Sequence, residues 1–285
     1  MTRAPRICIL APDPADPHFG TTWRPQADLL EAPLVNAGLT VDFRPWTAPG
    51  DLSGHDLVLP LLVWGYHARA AEWSAFLDGA AALQLANPPE VLRRNTDKRY
   101  LLDLAARGAP VVPTLAFDAF SRADIAQAET HFGTARLIAK PPVSAGAHGT
   151  YRLDAVSDPA LAWDRAMLVQ PMMPAIAQEG EWSLFYFDGR YSHAILKTVA
   201  DGDFRVQVQH GGSARAATPP EAAIAAADAV LGMIEEPLLY ARVDLIADGQ
   251  GNYLLMELEL IEPQLFLEHA PDDGRIFAEA VAAAI

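Results

Sequence analysis

Residues 241–260 read ARVDLIADGQGNYLLMELEL, and the organisation of the chain can be worked outward from this stretch. Two apolar runs, 241–248 and 252–260, flank a glycine-containing turn, which is the pattern of a β-hairpin. Residues two apart on a strand share a face, so Arg242 pairs in direction with Asp244, and Glu257 with Glu259. With Asp244 opposite Glu257, all four ionic groups fall on one face, and a one-residue slip would separate them. Val243, Leu245, Leu258 and Leu260 would then fill the opposite, buried face. Three carboxylates packed this closely repel one another and raise their own pKa values. A hard divalent cation relieves that repulsion, and Mg²⁺ favours a few carboxylates combined with phosphate oxygens. The same spacing also suits a solvated sheet face carrying a cross-strand Arg–Glu pair. The hairpin alone leaves both readings open.

Upstream, 181–188 and 191–198 flank Gly189 as a second hairpin, 204–209 reads as a further strand, and 221–235 is an Ala-rich helix. The tail from about residue 274 is helical. The middle of the chain alternates strand-like segments at 114–117, 136–140 and 167–172 with helical patterns at 122–131 and 159–165. A longer helix is expected over 89–107, stopped by Gly108 and Pro110. At the start, an apolar strand at 6–10 precedes the loop APDPADPHFG, then a helix over 25–37 closed by Gly38, then strands at 41–46 and 57–63. This β-α-β opening implies a parallel sheet covered by helices, and it carries no phosphate-binding glycine fingerprint. The reading is an α/β protein of α+β lobes, divided at 1–94, 95–168 and 169–285.

Composition narrows the function classes. With 21 Lys+Arg against 36 Asp+Glu the net charge is −15, which repels nucleic acid and anionic membranes at long range. The single Cys8 excludes a disulfide scaffold. No segment approaches roughly 18 uninterrupted apolar residues and no signal-peptide pattern opens the chain, so a soluble cytoplasmic protein is expected.

Several cations fall in suggestive places. Lys140 ends an apolar strand, and behind Pro141-Pro142 comes VSAGAHGTY, whose small residues let backbone N–H groups approach an anion. The P-loop pattern is absent, as are HExxH, CxxC and a serine-nucleophile elbow. Lys98 lies in NTDK on the expected long helix, Lys197 ends the 191–198 strand, and Arg205 begins the next. Beyond it, His210, Gly211, Gly212 and Ser213 form a glycine-dependent turn able to orient a polar ligand.

Taken in order, these pieces run helix Lys, strand Lys with glycine loop, PMMP segment, strand Glu, Lys/Arg, then carboxylate hairpin. From about Asn95 to Pro263 the chain resembles the ATP-grasp ligases, nearest the glutathione-synthetase and ribosomal-protein-glutamylating branch through GDFRVQVQHGGSARAA. GEWSLFYFDG and RVDL…MELEL are similar to segments of the D-alanine–D-alanine ligases, and the chain also resembles the ATP-grasp ligase of cycloserine biosynthesis. The resemblance implies a three-lobed ATP-grasp fold with ATP between the central and C-terminal lobes. It implies an ADP-forming ligase that activates a carboxylate as an acyl phosphate for attack by an amine, with ATP as co-substrate and Mg²⁺ or Mn²⁺ as cofactor.

By position, Lys98 and Lys140 would contact the ATP phosphates, and the loop Ser144–Gly149, with Gly146, would close over them. Val169–Met172 would form the hinge against adenine, with Gln170 and Met172 at its edge and Glu181 on the ribose. Lys197 and Arg205 would face the terminal phosphate or acyl group, Arg242 the oxyanion, and Asp244, Glu257 and Glu259 the metal. His210, Gly211 and Gly212 would border the substrate, an amino-acid-like small molecule, and a homodimer is possible. Glu259 departs from the family's usual Asn, and IEPQLFL replaces its N-x-x-P-G ending. Alternatives are a cyclo-ligase of a small amino-acid derivative, or an inactive nucleotide-binding member of the fold. In the N-terminal lobe, His18, Trp23, Arg24 and Trp64–His67 are substrate candidates.

Overall fold

The computed structural model describes residues 3–153, 163–200 and 211–285. In the N-terminal part, β1 (Arg6–Ala11), α1 (Arg24–Asn36), β2 (Thr40–Pro45) and β3 (Leu57–Leu59) are followed by α2 (Ala70–Gly79) and α3 (Pro89–Thr96). β1 lies between β2 and β3 and pairs with both in parallel. Buried on both faces, β1 is apolar at five of its six positions, as a central parallel strand requires. The expected strand at 57–63 is shorter because Pro60 ends it.

The middle part contains α4 (Tyr100–Ala106), β4 (Leu115–Phe117), α5 (Arg122–Phe132), β5 (Leu137–Lys140), β6 (Tyr151–Arg152) and β7 (Met167–Pro171). These strands form an antiparallel sheet in the order β4-β7-β5-β6. The sheet extends through Pro171, three residues past the expected lobe end. α5 is set by sequence at both ends. Ser121 and Asp124 form a reciprocal capping box, and Gly133 takes the left-handed conformation at the C-terminus.

The last part holds α6 (Ala175–Gln178), β8 (Glu181–Phe187), β9 (Arg190–Thr198), β10 (Ser213–Ala216), α7 (Glu221–Leu231), β11 (Tyr240–Ala247), β12 (Tyr253–Glu259) and α8 (Arg275–Ala283). Its antiparallel sheet runs β10-β9-β8-β11-β12. α8 returns to the N-terminal part, where Phe277 and Val281 join Leu30 and Leu34 of α1 in one core. Asn87 ties the same parts together. Its fully buried amide donates to the Tyr240 and Leu260 carbonyls at 3.0 Å each and accepts from the Leu239 N–H at 2.7 Å.

The expected helix over 89–107 is two helices. Asp97 is extended (φ −106°, ψ 116°) and its carboxylate accepts from the Arg99 N–H at 2.9 Å, restarting the chain as α4. This Asp-based turn competes with helix continuation, and it turns Lys98 inward until only 6% of its surface is exposed. The expected strand at 204–209 lies outside the described residues, as do 159–162 of the expected helix over 159–165.

Candidate active site

The β11–β12 register is Asp244 opposite Glu257 and Arg242 opposite Glu259, with a bulge just beyond Asp244. All four ionic groups therefore share one face of the sheet. Arg242 grips Asp244 with two donors, Nε to Oδ1 at 3.0 Å and Nη2 to Oδ2 at 2.9 Å, and also pairs with Glu259. Asp244 additionally accepts from Ser183 Oγ at 2.5 Å and lies 3.5 Å from Lys197 Nζ. Lys197 pairs with Glu181 at 2.9 Å, its direct partner across β8–β9. Gly180 makes that pairing possible: a Cβ there would lie 2.3 Å from the Lys197 carbonyl oxygen, and its φ is +88°.

Two adjoining cavities open beside this network. One, of about 120 Å³, is lined by Lys98, Lys140, Ser144–Ala147, Gln170–Met173, Glu181, Met256 and Glu257. The other, of about 580 Å³, is bounded by Lys197, Arg242, Asp244, Glu257, Glu259 and Glu262. Its opposite wall comes from the N-terminal part: Phe19, Gln26, Trp64, Gly65 and His67. The two cavities share Ala145–Ala147, Glu181 and Glu257.

Electrostatics distinguish the groups. Burial works to raise the Asp244 carboxyl, but Arg242 and Lys197 prevail and hold it near about 2. Glu257 is likewise held below its ordinary value, where Lys98 and Lys140 outweigh burial. Burial dominates at Glu259, pushed up to about 7 despite Arg242, and at Glu262, pushed up to about 8. It also raises Glu181 and lowers Lys140. Lys98 pairs with Glu257 at 3.2 Å and donates to the Ser144 carbonyl. Lys140 has no carboxylate partner among the described residues, its nearest acceptor being the Met256 carbonyl at 3.5 Å. An inward lysine without a counter-ion, beside a second lysine and a glycine-rich loop, is chemically suited to a phosphate chain.

Residues singled out from sequence thus gather around these cavities: Lys98, Lys140, Ser144, Gly146, Gln170, Met172 and Glu181 at the smaller, with Lys197, Arg242, Asp244, Glu257 and Glu259 at the larger. Gly149 stands behind, where a Cβ would lie 2.9 Å from the Pro141 ring. Gly211 and Gly212 line neither cavity, and Arg205 and His210 lie outside the described residues. Among the described residues no three acidic, His or Cys groups converge as a metal-binding cluster. Glu181, Asp244, Glu257 and Glu259 are held instead in ion pairs. Of the N-terminal candidates, Trp64, Gly65 and His67 reach the cavity, whereas His18 is exposed and Trp23 is buried under Arg24. Sequence reading missed Ser183, two residues from Glu181 on β8, and Gln264 and Phe266, which follow the end of β12.

Over 276 residues the chain is 33% identical to the cycloserine biosynthesis protein DcsG of Streptomyces lavendulae, covering 89% of this chain and 91% of that protein. The chain belongs to the ATP-grasp ligases. A family profile described as the N-terminal domain of D-cycloserine synthetase DcsG matches residues 7–87. The crystal structure of D-cycloserine synthetase DcsG superposes with a TM-score of 0.82 at 30% identity, over 97% of this chain and 99% of that one. D-alanyl-alanine synthetase A from Vibrio cholerae (TM-score 0.71, 16% identity, 100% and 98% of the two chains) shares the fold. So does the ATP-grasp ligase PsnB with a precursor variant, Mg and ADP (0.64, 16%, 99% and 99%). As a member of this family, the protein is an ATP-dependent ligase that forms a C–N bond from a carboxylate and an amine. No helix among the described residues is long and apolar enough to cross a membrane.

Proposed function

We propose that the ligase acts intramolecularly, closing a small amino-acid derivative into a ring as a cycloserine-type synthetase. The observation that carries this reading is the likeness to D-cycloserine synthetase at 30% identity over 97% of the chain, because it includes the N-terminal lobe that walls the 580 Å³ cavity. Cycloserine is a five-membered ring closed by one bond between a carboxyl carbon and a nitrogen. Its linear counterpart is an alanine carrying an aminooxy group on the β-carbon.

ATP would lie in the smaller cavity, with its phosphates on Lys98 and Lys140 beneath Ser144–Gly149 and its base against Gln170 and Met172. The lobes in this reading are 1–94, 95–168 and 169–285, with the central sheet extended to Pro171. Phosphoryl transfer asks a protein mainly for positioning and charge neutralisation, which the two lysines supply. The substrate carboxylate attacks the γ-phosphorus and releases ADP. The aminooxy nitrogen of the same molecule then attacks the acyl carbon, phosphate leaves, and the nitrogen gives up its proton. Arg242, beside the larger cavity, is placed to stabilise the oxyanion of the second step. A closed glycine loop keeps water from the acyl phosphate.

The donor set suits Mg²⁺ in kind. Glu257 and Glu259 are hard oxygen donors from one strand face, still 32% and 26% exposed toward the cavity, and Mg²⁺ needs only one or two carboxylates beside phosphate oxygens. They would hold the ion, and Asp244 would join them by exchanging a cation partner. Bound there, the metal supplies charge neutralisation on the phosphates.

The test is incubation of the purified protein with ATP, Mg²⁺ and β-aminooxy-D-alanine, following ADP by a coupled assay and the ring by mass spectrometry. Equal amounts of ADP and cyclic product are expected. ADP release that requires a second, separate amine would replace ring closure with intermolecular ligation.

A further inference from the structure

We infer that Glu262 binds the α-ammonium group of the substrate and thereby determines its specificity for an amino acid over a simple carboxylic acid. The inference rests on the ring-closing reading above and deepens it.

Five carboxylates face the two cavities: Glu181, Asp244, Glu257, Glu259 and Glu262. Four have a cation within 3.5 Å: Lys197 for Glu181, Arg242 and Lys197 for Asp244, Lys98 for Glu257, and Arg242 for Glu259. Glu262 forms no ion pair among the described residues. Glu259 and Glu257 repel its charge, and Lys98, which attracts it, is already paired with Glu257. Glu262 is half-buried; a partly desolvated carboxylate without a counter-charge is costly, and a ligand cation would offset that cost.

The backbone that carries Glu262 is tied on both sides. Tyr240 Oη donates to the Ile261 carbonyl at 2.7 Å, and His193 Nε2 lies 3.0 Å from the Leu265 carbonyl oxygen. Glu262 lines the large cavity, the acceptor side in this reading, whereas Lys140 lines only the smaller one on the nucleotide side. Among the described residues Lys140 and Glu262 are thus left without an ion pair, the lysine suited to a phosphate and the glutamic acid to an ammonium, whose charge would draw off the proton that burial favours. Ring closure needs this distinction. The substrate carries two nitrogens, and the weakly basic aminooxy nitrogen must attack as the neutral amine, whereas the α-amino group is protonated at neutral pH. A carboxylate holds the charged nitrogen and leaves the neutral one free to reach the acyl phosphate.

The test compares wild type with Glu262→Gln on β-aminooxy-D-alanine and on its des-amino analogue, 3-(aminooxy)propanoate. Wild type should prefer the ammonium-bearing substrate in kcat/KM by about 30-fold or more, the range of a charge-assisted contact. The variant should lose most of that preference through a higher KM for the amino acid, with KM for ATP unchanged. Because Glu262 forms no ion pair among the described residues and burial disfavours its charge, the variant should unfold at close to the wild-type temperature. Equal losses on both substrates would overturn the inference in favour of a structural role. A raised Mg²⁺ requirement would overturn it in favour of a metal ligand. If wild type forms no ring, the ring-closing reading fails, and the subsite is judged from ATP-dependent hydroxamate formation with hydroxylamine on D-serine and on 3-hydroxypropanoate. Wild-type preference for D-serine that Glu262→Gln abolishes supports the subsite. No difference between the two acids, including no reaction with either, overturns it.

Discussion

Acidification should weaken the fold through His193, and the size of the effect follows from its surroundings. The imidazole is 4% exposed, stacks on Phe185 with ring centroids 4.4 Å apart, and has Nε2 3.0 Å from the Leu265 carbonyl oxygen and Nδ1 3.0 Å from Ser192 Oγ. A neutral ring with its proton on Nε2 satisfies both contacts, donating to Leu265 and accepting from the hydroxyl. Burial lowers its pKa from 6.5 to about 4, outweighing the opposing carbonyl contact and Asp272, while His269 adds slightly to the lowering. Between those two values the unfolded chain binds a proton the folded one does not, so stability is full above pH 6.5 and declines as pH falls toward 4. At 1.36 kcal/mol per pKa unit the loss totals roughly 3 kcal/mol, of which about 2 kcal/mol is gone by pH 5.0. The assay is urea unfolding of wild type and His193→Phe at pH 7.5 and pH 5.0. The variant keeps the stack on Phe185 and cannot titrate, so it should start less stable by about 1–3 kcal/mol for the unpaired Leu265 carbonyl. Its deficit should shrink by about 2 kcal/mol at pH 5.0, since every other titrating group is common to both proteins. A deficit that is the same at both pH values would refute the reasoning.

Three further outcomes are expected. Lys140→Met should weaken binding of a nonhydrolysable ATP analogue about 10- to 100-fold by calorimetry, the range of a lost charge-assisted contact, because Lys140 is the one cation of the site without a carboxylate partner among the described residues; unchanged affinity would remove it from the phosphate site. Glu257→Gln should abolish ADP formation and lower the thermal midpoint, since it leaves the buried Lys98 without its carboxylate, whereas Asp244→Asn, which breaks a buried network, should cost about 3–5 kcal/mol. Gly180→Ala should destabilise markedly and lower kcat together, because its Cβ would collide with the Lys197 carbonyl behind the Glu181–Lys197 pair; a variant of wild-type stability would show that β8 and β9 can part there without consequence.

The carboxylate hairpin was legible because strand periodicity and a short glycine turn leave few registers, and the apolar residues between the charges force the charged face outward. The parallel opening sheet was legible for a similar reason, since Ile7–Leu10 is too apolar for an edge strand. Sequence periodicity failed where a polar side chain competes with the backbone. Asp97 breaks an otherwise continuous helical pattern, and that break aims Lys98 inward. It failed again at α2, where Trp73 and Leu77 face the core from a segment whose apolar residues do not form a clean stripe. Pairing partners were the least legible feature. Nothing in the spacing of Lys197, Glu181 and Asp244 announces that they would neutralise one another, because the contacts join β9, β8 and β11 through the sheet. Yet those pairings give the site its meaning. Once the cations and carboxylates are matched among the described residues, one lysine remains on the nucleotide side and one glutamate on the acceptor side. A sequence counts charges; only the fold shows which ones are left over for ligands.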